Sequence, residues 1–268
     1  MQAVARTAQV LWVLTHADRS LGVREIAVGA NIPKSATHRI LETLIEAGFV
    51  SHQPGEQGYR LAPTVAASGL RALGALRAVA LPELSAVLDV TSETVLLSLR
   101  SGTEQVHVEQ VRSPLGPRPA VPMGSRIPLY AGASGRAILA SFAPADLDRF
   151  LCSVQLVKLT PRTITNVECL RHALDVVRQR GYAASVGEHN PVLAAVSSPL
   201  FDRRQVVGAI TICGPTDRFA AAQVKQFGPL VREAAERVSG GLGPRVKRPW
   251  HQMPRLPIRS PAAAFGGR

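Results

Sequence analysis

The stretch VREIAVGANIPKSATHRILETLIEAGFV, residues 23–50, limits the folds open to this chain more than any other segment. Residues 23–29 place Val23, Ile26 and Ala27 on one side, the spacing of a short amphipathic helix. A turn at 30–32 leads to Pro33, which suits the first turn of a further helix because its missing N–H would have no partner there. That helix, 34–47, is expected to bury Ala36, Ile40 and Leu44, with Thr37, Leu41 and Ile45 alongside, and to stop at Gly48. Upstream, residues 4–17 repeat Val4, Ala8, Leu11, Trp12 and Thr15 with the period of a helix face. Downstream, residues 49–53 and 59–61 read as short strands joined by PGEQG, where Gly55 and Gly58 supply turn geometry. Three helices and a hairpin make a winged helix-turn-helix, expected over residues 1–62.

The remainder is long enough for a second domain, since the chain has 268 residues and 46% of them are hydrophobic. Residues 63–80 are rich in small side chains and read as a helical linker or dimerising helix. Residues 81–242 mix elements: a short helix at 82–89, a hairpin from 93–100 and 105–112, and a Pro/Gly-rich loop at 113–125. Residues 127–130 lead into AGASGRAILAS, a helix start, with a further helix at 144–152. A helix at 166–180 would be capped by Thr165 or Asn166 and ended by Gly181. Extended stretches at 182–186, 192–201 and 205–213 precede a final helix at 220–239. Strands flanked by helices without a regular βαβ alternation indicate an α+β, sensor-like domain.

The net charge of +12 is unevenly spread. Half of it belongs to residues 243–268, which hold six basic side chains and no acidic one; this Pro/Arg-rich segment reads as a disordered basic tail. Residues 1–62 carry six basic and five acidic side chains, so a single copy would make few phosphate contacts and useful affinity would need two copies on a palindromic site. Three cysteines without a CxxC pair argue against a zinc module and fit a reducing compartment. No apolar run reaches the length of a membrane span, and the N-terminus lacks signal-peptide character, so the expected location is the cytoplasm.

A helix that reads the major groove presents short polar or forked side chains near its N-terminal end. Lys34, Ser35, Thr37, His38 and Arg39 stand there: Arg39 suits a guanine or a phosphate, and Ser35 an N-cap or a phosphate. The bland alternative is a solvated helix face. In the wing, His52, Gln53, Gln57 and Arg60 are weaker candidates. In AGASGRAIL, small residues at a helix start leave backbone N–H groups accessible to an anion, with Ala133 and Ser134 as donors. Enzyme signatures fail. SVG at 185–187 lacks the first glycine of a nucleophile elbow, His107 and Glu109 lack the cysteines of a zinc deaminase, and no HExxH, GxxxxGK[ST] or GxGxxG occurs.

Residues 23–50, followed by YRLAPTVAASG, resemble the N-terminal domain of the IclR family of bacterial transcriptional regulators. LYAGASGRAILAS, TPRTITNVECLRHALDVVRQRGYA and VSSPLFDRRQVVGAITICGP continue the resemblance in the family's order, over about residues 3–240. It implies a winged helix, a helical linker and a GAF-like α/β effector-binding domain, assembled as a homodimer or tetramer. It also implies that Ser185, Ala195, Thr211 and Cys213 join Ala133 and Ser134 around a small organic-acid effector. Several members carry an acidic residue at the place of Ser185, which weakens any transfer of hydroxyl or amine specificity. Cys213 fits equally a small buried strand residue, and Glu188, His189 and Asn190 a polar loop. The expected function is a ligand-responsive regulator binding double-stranded DNA, needing no cofactor or metal. The rivals are a small-molecule-processing enzyme on a sensor-like fold and a protein-interaction module. The walls, small or weakly polar, are expected to favour an apolar or aromatic acid.

Overall fold

The computed structural model describes residues 2–17, 19–52, 58–116, 121–203, 205–219 and 221–242. The wing tip with Gln53, Gly55 and Gln57, and the basic tail at 243–268, lie outside them. The chain forms two compact units that divide between Gly74 and Ala75.

The first unit begins with α1 (Gln2–Thr15), α2 (Val23–Ala30) and α3 (Lys34–Glu46). Its core is Val10, Leu14, Ile26, Ile32, Leu41, Leu44 and Val50. Helix α1 buries a different stripe from the expected one: Val10 and Leu14 face in, whereas Val4 and Trp12 are exposed. Both stripes have helical spacing, and packing against α2 and α3 decides between them. Two local devices set the α2–α3 geometry. Glu25 accepts from the Gly22 N–H at 2.8 Å, fixing the start of α2, and Asn31 takes a left-handed φ of 53° so that its N–H returns to carbonyls of the last turn. Pro33 is the N-cap of α3 and no side chain caps that end, so Ser35 is not an N-cap. Strands β1 (Val50–Ser51) and β2 (Arg60–Leu61) pair antiparallel as the wing's base.

Helix α4 (Pro63–Thr91) is continuous, where a linker helix and a separate short helix were expected. Pro82 removes one backbone donor inside it. Ala78, whose carbonyl loses that partner, is exposed, as is Pro82, so water can satisfy the group without breaking the helix.

The second unit is built on β3 (Thr94–Ser101), β4 (Glu104–Val111), β5 (Arg126–Pro128), β6 (Ala183–Val186), β7 (Leu193–Asp202) and β8 (Gln205–Pro215). These form one antiparallel sheet in the order β5-β4-β3-β8-β7-β6. One face packs against α5 (Gly132–Ala140), α6 (Pro144–Ser153) and α7 (Val167–Arg180), with Leu139, Phe150, Leu170 and Leu174 buried. The other packs against the C-terminal half of α4 and α8 (Ala221–Leu242), through Leu84, Val87, Val231 and Val238. Because both faces are covered, Ala194–Leu200 of β7 are buried without interruption, so the strand shows no polar alternation. The cap of α7 is Asn166, whose Oδ1 accepts from Cys169 N–H at 2.9 Å, and Gly181 ends the helix at φ +81°. The whole is the α+β, helix-turn-helix plus sensor architecture the sequence indicates.

Candidate functional site

Two sites emerge, one in each unit. On α3, Lys34, Ser35, His38 and Arg39 are exposed along one side. His38 Nδ1 lies 3.2 Å from Glu42 Oε1 one turn on. Thr37 must be withdrawn from the DNA-contacting set: it is fully buried, and its Oγ1 donates back to the Pro33 carbonyl at 3.1 Å. A residue on the inward stripe of the helix cannot reach a base edge. Ile45, expected inside, is instead 37% exposed. On the wing Arg60 is exposed, and the His52 ring lies tilted against Tyr59 with ring centroids 4.7 Å apart.

In the second unit a cavity opens at the start of α5, with about 410 Å³ of empty space when the open solvent at its mouth is included. Ala133, Ser134, Ser185, Ala195, Thr211 and Cys213 all line it. Strand register explains the meeting: Ser185 pairs with Ala195 across β6 and β7, and Ala195 with Cys213 across β7 and β8. Two glycines bring the helix into place. Gly132 turns the chain at φ +83°, and Gly135 lets α5 lie close to the backbone just after β5, since a Cβ there would lie 2.3 Å from the Leu129 carbonyl oxygen.

The N–H groups at this helix start are not open, contrary to the sequence reading. Ala133 N–H donates to Ser185 Oγ at 3.0 Å and Gly132 N–H to Glu188 Oε2 at 3.3 Å. With no side chain of its own at the N-cap, α5 borrows acceptors from β6 and the loop after it. Ser134 differs: among the described residues neither its hydroxyl nor its N–H is bonded outside its own helix. Arg136 donates to the other oxygen of Glu188 at 2.7 Å and to the Ala184 carbonyl, completing a buried ion pair beside the cavity. Burial pushes the Glu188 carboxyl up, against the pull of Arg136 and the Gly132 N–H. The loop that carries Glu188 is tied down from outside by Thr160 Oγ1, which donates to the Gly187 carbonyl at 2.6 Å, and by Thr163 Oγ1, which donates to the Glu188 carbonyl at 2.7 Å.

Gln105 and His107 on β4 line the cavity although the sequence does not single them out as ligand contacts, and His189 and Asn190, from the polar loop expected beside the pocket, line it as well. Their polarity corrects the expectation of walls that are only small or weakly polar. Burial, with His189 nearby, pushes the His107 imidazole down to about 4, so it is neutral at physiological pH. Burial, with Glu93 adding to it, pushes the Cys213 thiol up to about 12. It is therefore a neutral wall group and no nucleophile, and its two readings, small strand residue and cavity wall, coincide. No group of three or more His, Cys, Asp or Glu among the described residues is placed to hold a metal.

A helix-turn-helix joined to a cavity-bearing α/β domain defines a helix-turn-helix transcriptional regulator. Sequence comparison agrees: residues 3–54 match the IclR helix-turn-helix domain, and residues 73–240 the bacterial transcriptional regulator IclR C-terminal domain. The HTH-type transcriptional repressor AllR of Escherichia coli (strain K12) is 31% identical over 250 residues, 90% of each chain. The IclR transcriptional regulator from Alicyclobacillus acidocaldarius superposes with a TM-score of 0.80 at 31% identity, covering 91% of this chain and 99% of its own. An IclR homologue from Microbacterium hydrocarbonoxydans, solved in complex with 4-hydroxybenzoate, gives 0.77 at 25% identity, covering 90% of this chain and 98% of its own. The chain belongs to the IclR family. It is a transcriptional regulator, not an enzyme, and its class acts through DNA and small-molecule effectors. No described helix is long and apolar enough to cross a membrane.

Proposed function

We propose that this chain senses a small carboxylic acid in the cavity at the start of α5 and adjusts the binding of its winged helix to a palindromic operator, as a homodimer or tetramer in the cytoplasm. Residues 1–62 serve as the DNA-binding part, 63–80 as linker and 81–242 as the effector domain. One observation carries the reading: the four residues that the family resemblance implies for an effector and the two expected at the helix start line a single cavity. The acid's carboxylate would exchange with Ser185 and Glu188 at the Ala133 and Gly132 N–H groups and add the Ser134 hydroxyl. Those oxygens already mark where the helix dipole and backbone favour an acceptor. The 4-hydroxybenzoate held by the Microbacterium relative supports an acid of aromatic size. Regulation requires that the acid bind the DNA-competent and incompetent arrangements with different affinity. Calorimetry of the full chain against benzoate and 4-hydroxybenzoate, alongside short-chain acids, tests this. Absence of binding to every acid overturns it.

On DNA, the exposed Lys34, Ser35, His38, Arg39 and Arg60 form the contacting set. Arg39→Ala is expected to weaken operator binding by about 1–3 kcal/mol and relax specificity at one base pair, measured by band shift on operator and scrambled DNA. Equal losses on both would reassign Arg39 to a phosphate. The six positive charges of residues 243–268 act without sequence preference. Deleting residues 244–268 should flatten the salt dependence of binding and leave the footprint unchanged; an altered footprint would give the tail a role in specificity.

A further inference from the structure

Gln105 and His107 stand two residues apart on β4, hence on one face of the strand, and both line the cavity. Neighbouring polar side chains on this face of the sheet are paired. Ser98 Oγ and His107 Nδ1 are 2.8 Å apart, and Ser197 Oγ is 2.8 Å from Thr211 Oγ1 and from the Ile210 carbonyl oxygen. The carboxamide of Gln105 is the exception. Gln105 is 1% exposed, and its Oε1 is buried with no hydrogen-bond partner among the described residues. A carboxamide buried in that state destabilises the fold, and at a cavity wall a molecule entering the cavity can complete it.

Its position gives the complement. Ser185 is on β6 and Gln105 on β4, with β7, β8 and β3 between them in the sheet. The cavity therefore runs across the strands, from the start of α5 to β4, over the small walls of Ala195, Thr211 and Cys213. A ligand with its carboxylate at α5 and long enough to reach β4 would meet Gln105 with its other end.

We infer that Gln105, with His107 beside it, is the specificity-determining end of the cavity, and that the effector is a monocarboxylic acid with a neutral hydroxyl or carbonyl group remote from its carboxylate. The inference rests on the proposed carboxylate site at α5. A second carboxylate is disfavoured at this end. His107 is held neutral by burial, burial likewise pushes His189 down, and the Arg136 guanidinium is already engaged by Glu188.

The test is calorimetry of the full-length protein with two size-matched series: benzoate, 4-hydroxybenzoate and terephthalate; and propionate, 3-hydroxypropionate and malonate. In the series that binds, the hydroxylated acid is expected to exceed the plain acid by about tenfold or more, with the diacid weakest. Gln105→Leu should reduce that preference to within about threefold while keeping the plain acid's affinity. It should also raise the ligand-free melting temperature by about 2–4 °C, because a buried unpaired carboxamide is removed. Gln105→Met provides a second apolar replacement of similar length. Equal binding of hydroxylated and plain acids by the wild type overturns the inference alone, as does a preference that survives in both variants. If both variants melt below the wild type, the carboxamide is structural and the inference falls. If no acid of either series binds, it falls together with the carboxylate site.

Discussion

Ala195→Phe is expected to abolish the response to the effector while DNA binding in its absence survives. Ala195 is buried in β7, paired in register with Ser185 on one side and Cys213 on the other, and it forms part of the cavity wall. A phenyl ring there projects into the space the acid would occupy. The expected loss is more than 100-fold in acid affinity, about 3 kcal/mol or more, read by calorimetry, with operator binding of the unliganded protein followed by band shift. Ala195→Leu, a smaller intrusion, should give an intermediate loss. Unchanged affinity in the Phe variant would place the effector elsewhere and refute the residue assignments.

Arg136→Met is expected to destabilise the protein strongly. Arg136 and Glu188 are both almost fully buried, and their pair ties the body of α5 to the loop that follows β6. The Nε of Arg136 is buried without a partner among the described residues, so the side chain already bears part of its desolvation cost uncompensated. Removing the guanidinium leaves the Glu188 carboxylate buried beside the Gly132 N–H alone, and deprives the Ala184 carbonyl of its donor. The expected cost is about 3–5 kcal/mol, measurable as a large drop in melting temperature. The double variant Arg136→Met/Glu188→Gln should recover much of the loss, because the orphaned charge is then gone. A single variant within about 1 kcal/mol of the wild type would show that the pair contributes little.

These two predictions draw on different kinds of information. Ala195 is accessible from the sequence because the family resemblance implies a place for it in the effector pocket, and it does line the cavity. The Arg136–Glu188 pair was not, since its partners are 52 residues apart and nothing local joins them. Gln105 and His107 were hidden for another reason. In QVHVEQV, polar and apolar residues alternate, and alternation by itself reads as a strand with one wet face. Here helices cover both faces of the sheet, so the polar face of β4 turns into the protein and meets the cavity.

Periodicity, caps and turn residues are short-range signals, and they suffice for the helices of the first unit, the 93–112 hairpin, the Asn166 to Gly181 helix and the order of elements that marks the family. A helix or hairpin is specified by residues a few positions apart, so the sequence alone determined these. It could not choose which stripe of α1 faces inward, or decide between the two places it offers Thr37, the core and the outer face of α3. Nor could it show that Ser185 and Glu188 already occupy the N–H groups at the start of α5. Each of these depends on which distant surface arrives against an element, and burial and hydrogen-bond pairing across the fold decide it.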